Sequence, residues 1–349
     1  MDIAGIIQSK LKKIKGKADK SVIGLDLGSA YVKVVQVSSE EGVPLLEKFA
    51  SQKVEENTPG ARVEAIGRAL AKADIKDFKD IRIALGGESI IVRYIQMPKM
   101  TQEELDKSID FEVEKYIPFK REDVALDCRI VEEQHHFDKT KMRVLLVVAK
   151  NDFINQQIET CKQAGLNLSL IDVDSFALVN AFLTYGKTDP AKTIVLLNIG
   201  ARRANINILK NNLPFFTRDI SVAGNDLTQA VQDAMKADLA EAEKMKCDPE
   251  NYEKEIPDIL KPVLENLLVE VKLSFDYFEN QVERGIDIVY LTGGSSVITG
   301  LDKYFSERLG LPVESWNPVQ TINTGPDVSA QELKKQGARL GVCLGLTAR

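Results

Sequence analysis

Short apolar runs broken by glycine-centred turns open the folded part of the pattern and return half a chain later. Val22-Ile23-Gly24-Leu25-Asp26-Leu27-Gly28-Ser29 leads into Tyr31-Val32-Lys33-Val34-Val35-Gln36-Val37. This pattern predicts a buried strand, a tight turn and a second strand. Ile194-Val195-Leu196-Leu197-Asn198-Ile199-Gly200, followed by Asn205-Ile206-Asn207-Ile208-Leu209, repeats it. Asp26 to Asn198 and Gly28 to Gly200 share an offset of 172 residues. Two hairpins of one design predict a duplicated architecture with two similar lobes.

The stretch between them reads as an inserted α+β module over 98–173. Thr101 with Glu104 forms a capping box. Leu105, Ile109, Val113 and Tyr116 then line one helical face, and Pro118 marks the stop. Strand-like runs at Val124–Val131 and Arg143–Ala149, a helix near 151–164 and a strand at Leu168–Val173 complete the module. Further on, helical periodicity covers 225–246 and 257–281. Ile288-Val289-Tyr290-Leu291 then runs into Thr292-Gly293-Gly294-Ser295-Ser296, with helices expected from about 300 and from Gln331 onward. The resulting division is 1–21, a basic N-terminal segment; 22–97 with 174–191 and 328–349, the first lobe; 98–173, the insert; and 192–327, the second lobe.

Composition narrows the classes. A chain of 349 residues exceeds what one hydrophobic core serves, so at least two domains are expected. The net charge of −6 argues against a nucleic-acid surface. Two histidines leave little room for histidine chemistry, and His135-His136 sit in an expected hairpin loop as weak metal ligands at best. Four scattered cysteines without a CxxC pair, and no signal-peptide pattern, fit a reducing cytoplasm. Six lysines and the spacing of Ile3, Ile7, Leu11 and Ile14 give residues 1–21 the pattern of a basic amphipathic helix suited to anionic lipid. A solvated tail has the same composition.

Asp26-Leu27-Gly28-Ser29 can serve phosphate chemistry. The glycine lets backbone N–H groups approach an anion, Asp26 can hold magnesium through water, and Lys33 can supply a point charge. An ordinary hairpin would use the same residues, and the recurrence at Asn198 and Gly200 favours the phosphate reading. Gly293-Gly294-Ser295, between a strand and a helix, permits close approach of a flat group such as adenine; a plain strand-to-helix turn also accepts it. Glu270 and Ser274 share a helix face that could meet a ribose or base, or simply water. Gly186-Lys187-Thr188 lacks the upstream glycine of a P-loop, since position 181 is Ala.

In order and spacing these motifs resemble the actin/FtsA superfamily. More closely, they resemble the PilM family of type IV pilus systems. The specific stretches are Glu114-Lys115-Tyr116-Ile117-Pro118-Phe119, Asp172-Val173-Asp174-Ser175-Phe176, Gly224-Asn225-Asp226 and Leu273-Ser274-Phe275-Asp276-Tyr277. The resemblance covers about 22–349. It implies an α/β, actin-like two-lobed ATPase fold with duplicated cores and a small inserted subdomain. It implies ATP and Mg held by Asp26, Gly28, Ser29, Lys33, Asn198, Gly200, Gly224, Glu270, Lys272, Ser274, Gly293, Gly294 and Ser295. Asp174 is the one candidate for positioning a water. The implied partners are the cytoplasmic N-terminal peptide of a PilN-like membrane protein and the pilus motor ATPases. The implied location is cytoplasmic, peripheral at the inner membrane. Asn198 stands where the family usually has aspartate, Ala204 where it often has threonine, and Leu273 where a basic residue is usual. These departures weaken hydrolysis more than binding, because phosphoryl transfer needs positioned charge. An adaptor is therefore expected ahead of an ATPase, a sugar-kinase relative or an FtsA-like filament protein.

Overall fold

The computed structural model describes residues 21–348 apart from 41, 57, 134–137 and 248–255. The basic segment 1–20 and the His135-His136 pair lie outside the described residues.

Two sheets of matching topology face each other. The first has the order β14 (Asn323–Thr324), β3 (Val43–Lys53), β2 (Tyr31–Glu40), β1 (Val22–Leu27), β4 (Ile81–Leu85), β8 (Leu168–Val173). The second runs β11 (Leu213–Ile220), β10 (Ala204–Lys210), β9 (Thr193–Ile199), β12 (Ile288–Thr292), β13 (Val313–Ser315). In each, a strand pairs antiparallel with its hairpin partner on one side and parallel with a crossover strand on the other. The duplication expected from the hairpins is thus present in five matching strands of each sheet, with β14 an added edge strand of the first.

Period-two alternation explains the layering, because successive side chains point to opposite faces. Val195, Leu197 and Ile199 of β9 enter the second-lobe core. That core is built with α5 (Gly224–Met235), α7 (Ile256–Val282) and α8 (Leu301–Leu309). Ile194 and Leu196 point the other way, into a core shared by the lobes. That shared core is filled by α4 (Asp174–Tyr185) and α10 (Gly341–Thr347). The outer face of the first sheet packs on α1 (Pro59–Lys72) and α3 (Asn151–Gln163). With both faces covered, the strands read as near-continuous apolar runs.

The insert boundaries 98 and 173 are corrected by the pairing. Its sheet is β5 (Ile90–Pro98), β7 (Lys141–Lys150) and β6 (Val124–Glu132), so it begins at Ile90. β8 is instead a parallel edge strand of the first sheet, beside β4, and Cys161 and Leu166 around α3 pack in the first-lobe core. β14 likewise carries residues 323–324, assigned above to the second lobe, into the first sheet. The insert's core gathers Leu105, Ile109 and Val113 from α2 (Gln102–Glu112) and the turn after it, with the Thr101–Glu104 capping box formed as predicted. The run 225–246 divides into α5 and α6 (Leu239–Cys247), where Lys236 takes a left-handed conformation. The final helix also divides, into α9 (Ala330–Gln336) and α10.

Candidate functional site

The hairpin turns bring chemistry to the ends of matching strands. Asp26 and Lys33 are cross-strand neighbours in the β1–β2 ladder, so their side chains share a face and form an ion pair. Burial alone would lower Lys33, but the adjacent Asp26 carboxylate overrides it and holds the ammonium above its ordinary value. The turn itself is tight: a methyl group on Gly28 would lie 2.7 Å from the Tyr31 carbonyl. One on Gly200 would lie 2.8 Å from the Arg203 carbonyl, and these positions again differ by 172. The two turns are therefore the same device on opposite lobes.

Gly293 completes the second-lobe side. Its φ of +95° suits glycine, and any Cβ would stand 2.7 Å from the Ile199 carbonyl and nearer still to Asn198 Oδ1. Ser295 N donates to the same carbonyl at 3.0 Å. Gly224 N donates to the Gly200 carbonyl at 2.9 Å, placing the first turn of α5 behind the phosphate-type turn.

A cleft of about 1110 Å³ opens between these turns. Asp26, Gly28, Ser29, Lys33, Asp174, Asn198, Gly200, Gly293, Gly294 and Ser295 all line it. Gly224 stands just behind the wall. Glu270, Lys272 and Ser274 do not line it. α7 turns its Val271, Phe275 and Phe278 face into the second-lobe core, and Ser274 is buried there, donating to its own helix at the Glu270 carbonyl. Glu270 pairs with Arg218 at 2.5 Å. Their spacing established a common face; it did not say which side of the lobe that face meets.

Residues the sequence reading missed take that place. α6 presents Glu243, Lys244, Lys246 and Cys247 to the cleft. Lys246 is 3 % exposed and donates to Glu243 Oε2 at 2.6 Å, Thr228 Oγ1 at 2.8 Å and the Gly224 carbonyl at 3.2 Å. Burial alone would raise Glu243, but Lys246 beside it leaves the carboxyl below its ordinary value. Opposite, the Arg339 guanidinium lies 5.1 Å from the centre of the Tyr31 ring, and its buried Nε has no hydrogen-bond partner among the described residues. Buried polar atoms are nearly always paired, so an orphan donor on a cleft wall is a place for a ligand acceptor. A run of glycine walls, two facing backbone turns, a paired lysine and this orphan donor fit an anionic, partly flat molecule such as a nucleotide. At the floor, Asp174 is half-buried. Burial, then the nearby Asp219 and Asp26 carboxylates, hold its proton well above the ordinary range.

Among the described residues no group of three or more His, Cys, Asp or Glu could hold a metal directly. None of the described helices is long and apolar enough to cross a membrane.

The model of the family "Type IV pilus assembly protein PilM" matches residues 24–349. A solved structure described as a PilM–PilN type IV pilus biogenesis complex is 27 % identical, with a TM-score of 0.82, covering 93 % of this chain and 97 % of that one. Ethanolamine utilization protein EutJ from Carboxydothermus hydrogenoformans is 16 % identical, with a TM-score of 0.57, covering 98 % of this chain and 93 % of that one. The fold is the actin-like one that the resemblance implied.

Proposed function

This chain belongs to the type IV pilus assembly protein PilM family, and on that footing we propose that it is an ATP-dependent adaptor of the pilus assembly platform. Two glycine turns of one geometry, on opposite lobes, close on a single cleft, and this observation carries the reading. ATP would lie with its phosphates between the Gly28 and Gly200 turns, near Lys33, and with its base toward Gly293–Gly294 and Arg339. Asp26 would hold magnesium through water, in competition with its present partner Lys33. The bound nucleotide supplies phosphate charge that ties the lobes together; the protein supplies backbone donors and cations.

Little turnover is expected. Asn198 lacks the charge to orient an attacking water at a metal, and phosphoryl transfer depends on positioned charge. The partner in this reading is the cytoplasmic N-terminal peptide of a PilN-like membrane protein. Support comes from the similarity to a chain solved in a PilM–PilN complex. The protein would then work on the cytoplasmic side, peripheral to the inner membrane, with pilus motor ATPases as further neighbours.

Calorimetric titration with Mg-ATP, run beside a phosphate-release assay, tests this. Binding that Asp26→Ala weakens at least tenfold, with negligible release, is the expected result. Absence of binding overturns the nucleotide reading, and rapid release replaces the adaptor with an ATPase.

A further inference from the structure

The insert is continuous in sequence with the first lobe alone, yet its sheet is held to the second lobe, and the loop leading into it makes a second contact. Arg143 of β7 lies between two rings, 3.4 Å from the centre of Phe215 in β11 and 4.4 Å from that of Tyr94 in β5. It donates to the Phe215 carbonyl and faces Glu132 at 3.5 Å. Tyr94 Oη donates to the Pro214 carbonyl at 3.3 Å. Phe215 is itself fixed edge-on against Phe278 of α7, at 5.1 Å and 90°. The second point is an ion pair across the cleft mouth. Arg203, from the turn that holds Gly200, meets Glu88, two residues ahead of β5.

A buried guanidinium is an unusual way to join two subdomains. Arg143 is 8 % exposed, burial pushes it below its ordinary value, and the carboxylate facing it belongs to the insert. Apolar side chains of the same volume hold such a junction at least as firmly. What the planar cation adds is orientation, since it must stack on both rings and meet one carbonyl. β11 then runs from this junction to Asp219, whose charge is felt by Asp174 at the cleft floor.

We infer that Arg143, clasped by Tyr94 and Phe215, couples the insert to the second lobe, so that opening or closing the cleft moves β5 and its sheet. The inference rests on the nucleotide reading of the cleft and adds how the insert senses it. When the lobes rotate, either the insert follows the second lobe or these contacts break. Coupling of this kind is reciprocal: a partner held by the insert alters nucleotide affinity by the same factor as the nucleotide alters the partner's.

Hydrogen exchange of the full-length protein, with and without Mg-ATP, decides it. Arg143→Met keeps much of the side-chain volume and removes the cation. Without nucleotide, it is expected to speed exchange in β5 and also at the distant cleft segments 86–89 and 200–203. The expected size is about fivefold or more, the lower end of ordinary coupling. With nucleotide, the slowing of β5 and β6 amides in the parent protein should be absent from the variant. Changes confined to the neighbourhood of residue 143, or an unaltered nucleotide response, overturn the inference. If Arg143→Met does not fold, Tyr94→Phe, which deletes one hydroxyl, carries the same readout. Failure of the parent protein to bind nucleotide sinks the proposed function, while the nucleotide-free comparison still decides the coupling.

Discussion

Replacing glycine by alanine at two helical positions should change stability in opposite directions. Gly67 sits on the exposed face of α1, and a methyl group there meets nothing within 4 Å. Gly67→Ala therefore gains helix propensity alone, about 1 kcal/mol. In α10, Gly345 faces α4 so closely that a methyl group would stand within 3.0 Å of the Cα, C and O of Ala177. The three nearest atoms are all backbone, so no rotamer change relieves the overlap, and α10 must lift away from α4. Overpacking of this kind costs about 3 kcal/mol or more. After the propensity gain, Gly345→Ala should lose about 2 kcal/mol. In a chain of this size, that lowers the midpoint by about 3 °C, while Gly67→Ala raises it by about 1 °C. Thermal unfolding followed by circular dichroism, without ligand and at pH 7, measures both. A Gly345→Ala midpoint at or above that of the parent protein would refute the account of the α4–α10 contact.

Asp174→Asn should stabilise the protein increasingly as pH rises. With its folded-state pKa raised, the aspartate's favourable term is fully present below the unfolded carboxyl value of about 3.9 and is lost as pH climbs through the folded value, about 1.4 kcal/mol per unit of rise. Midpoints of both proteins from pH 4 to 8 test this; a gap that does not widen with pH contradicts it. Lys246→Met strips three hydrogen bonds from the α5–α6 junction. Because the Glu243 side chain is 43 % exposed and screened, the loss should be about 2 kcal/mol, below that for a fully buried pair. Urea unfolding measures it, and a loss under about 0.5 kcal/mol would make the lysine dispensable to the junction.

The two lobes were legible because the evidence is local. A DLGS turn between apolar strands, answered by Asn198-Ile199-Gly200-Ala201 between two more at an offset of 172, marks two hairpins, and the structure places both at one cleft. Sheet membership was not legible in the same way. Ile90–Pro98 and Leu168–Val173 each read as strands, but periodicity says nothing about which neighbour accepts the hydrogen bonds, so both ends of the insert were misplaced. The α6 contribution escaped for another reason. Lys246 looks like any solvated lysine in a charged helix until α5 is seen to cover it. Arg339 likewise gains meaning only when the Tyr31 turn, 308 positions earlier, comes to lie beneath it.

The wedge formed by α10 also sets an order of assembly during synthesis. The second sheet draws all five strands from 193–315, so it can close as soon as that stretch has left the ribosome. The first sheet begins at Val22 but takes β14 from 323–324, and its inner face is sealed by residues 341–347. The half made first is therefore completed last. Until then the inner faces of Val35, Val37 and Leu46 stay uncovered in the nascent chain, the kind of surface that chaperones hold.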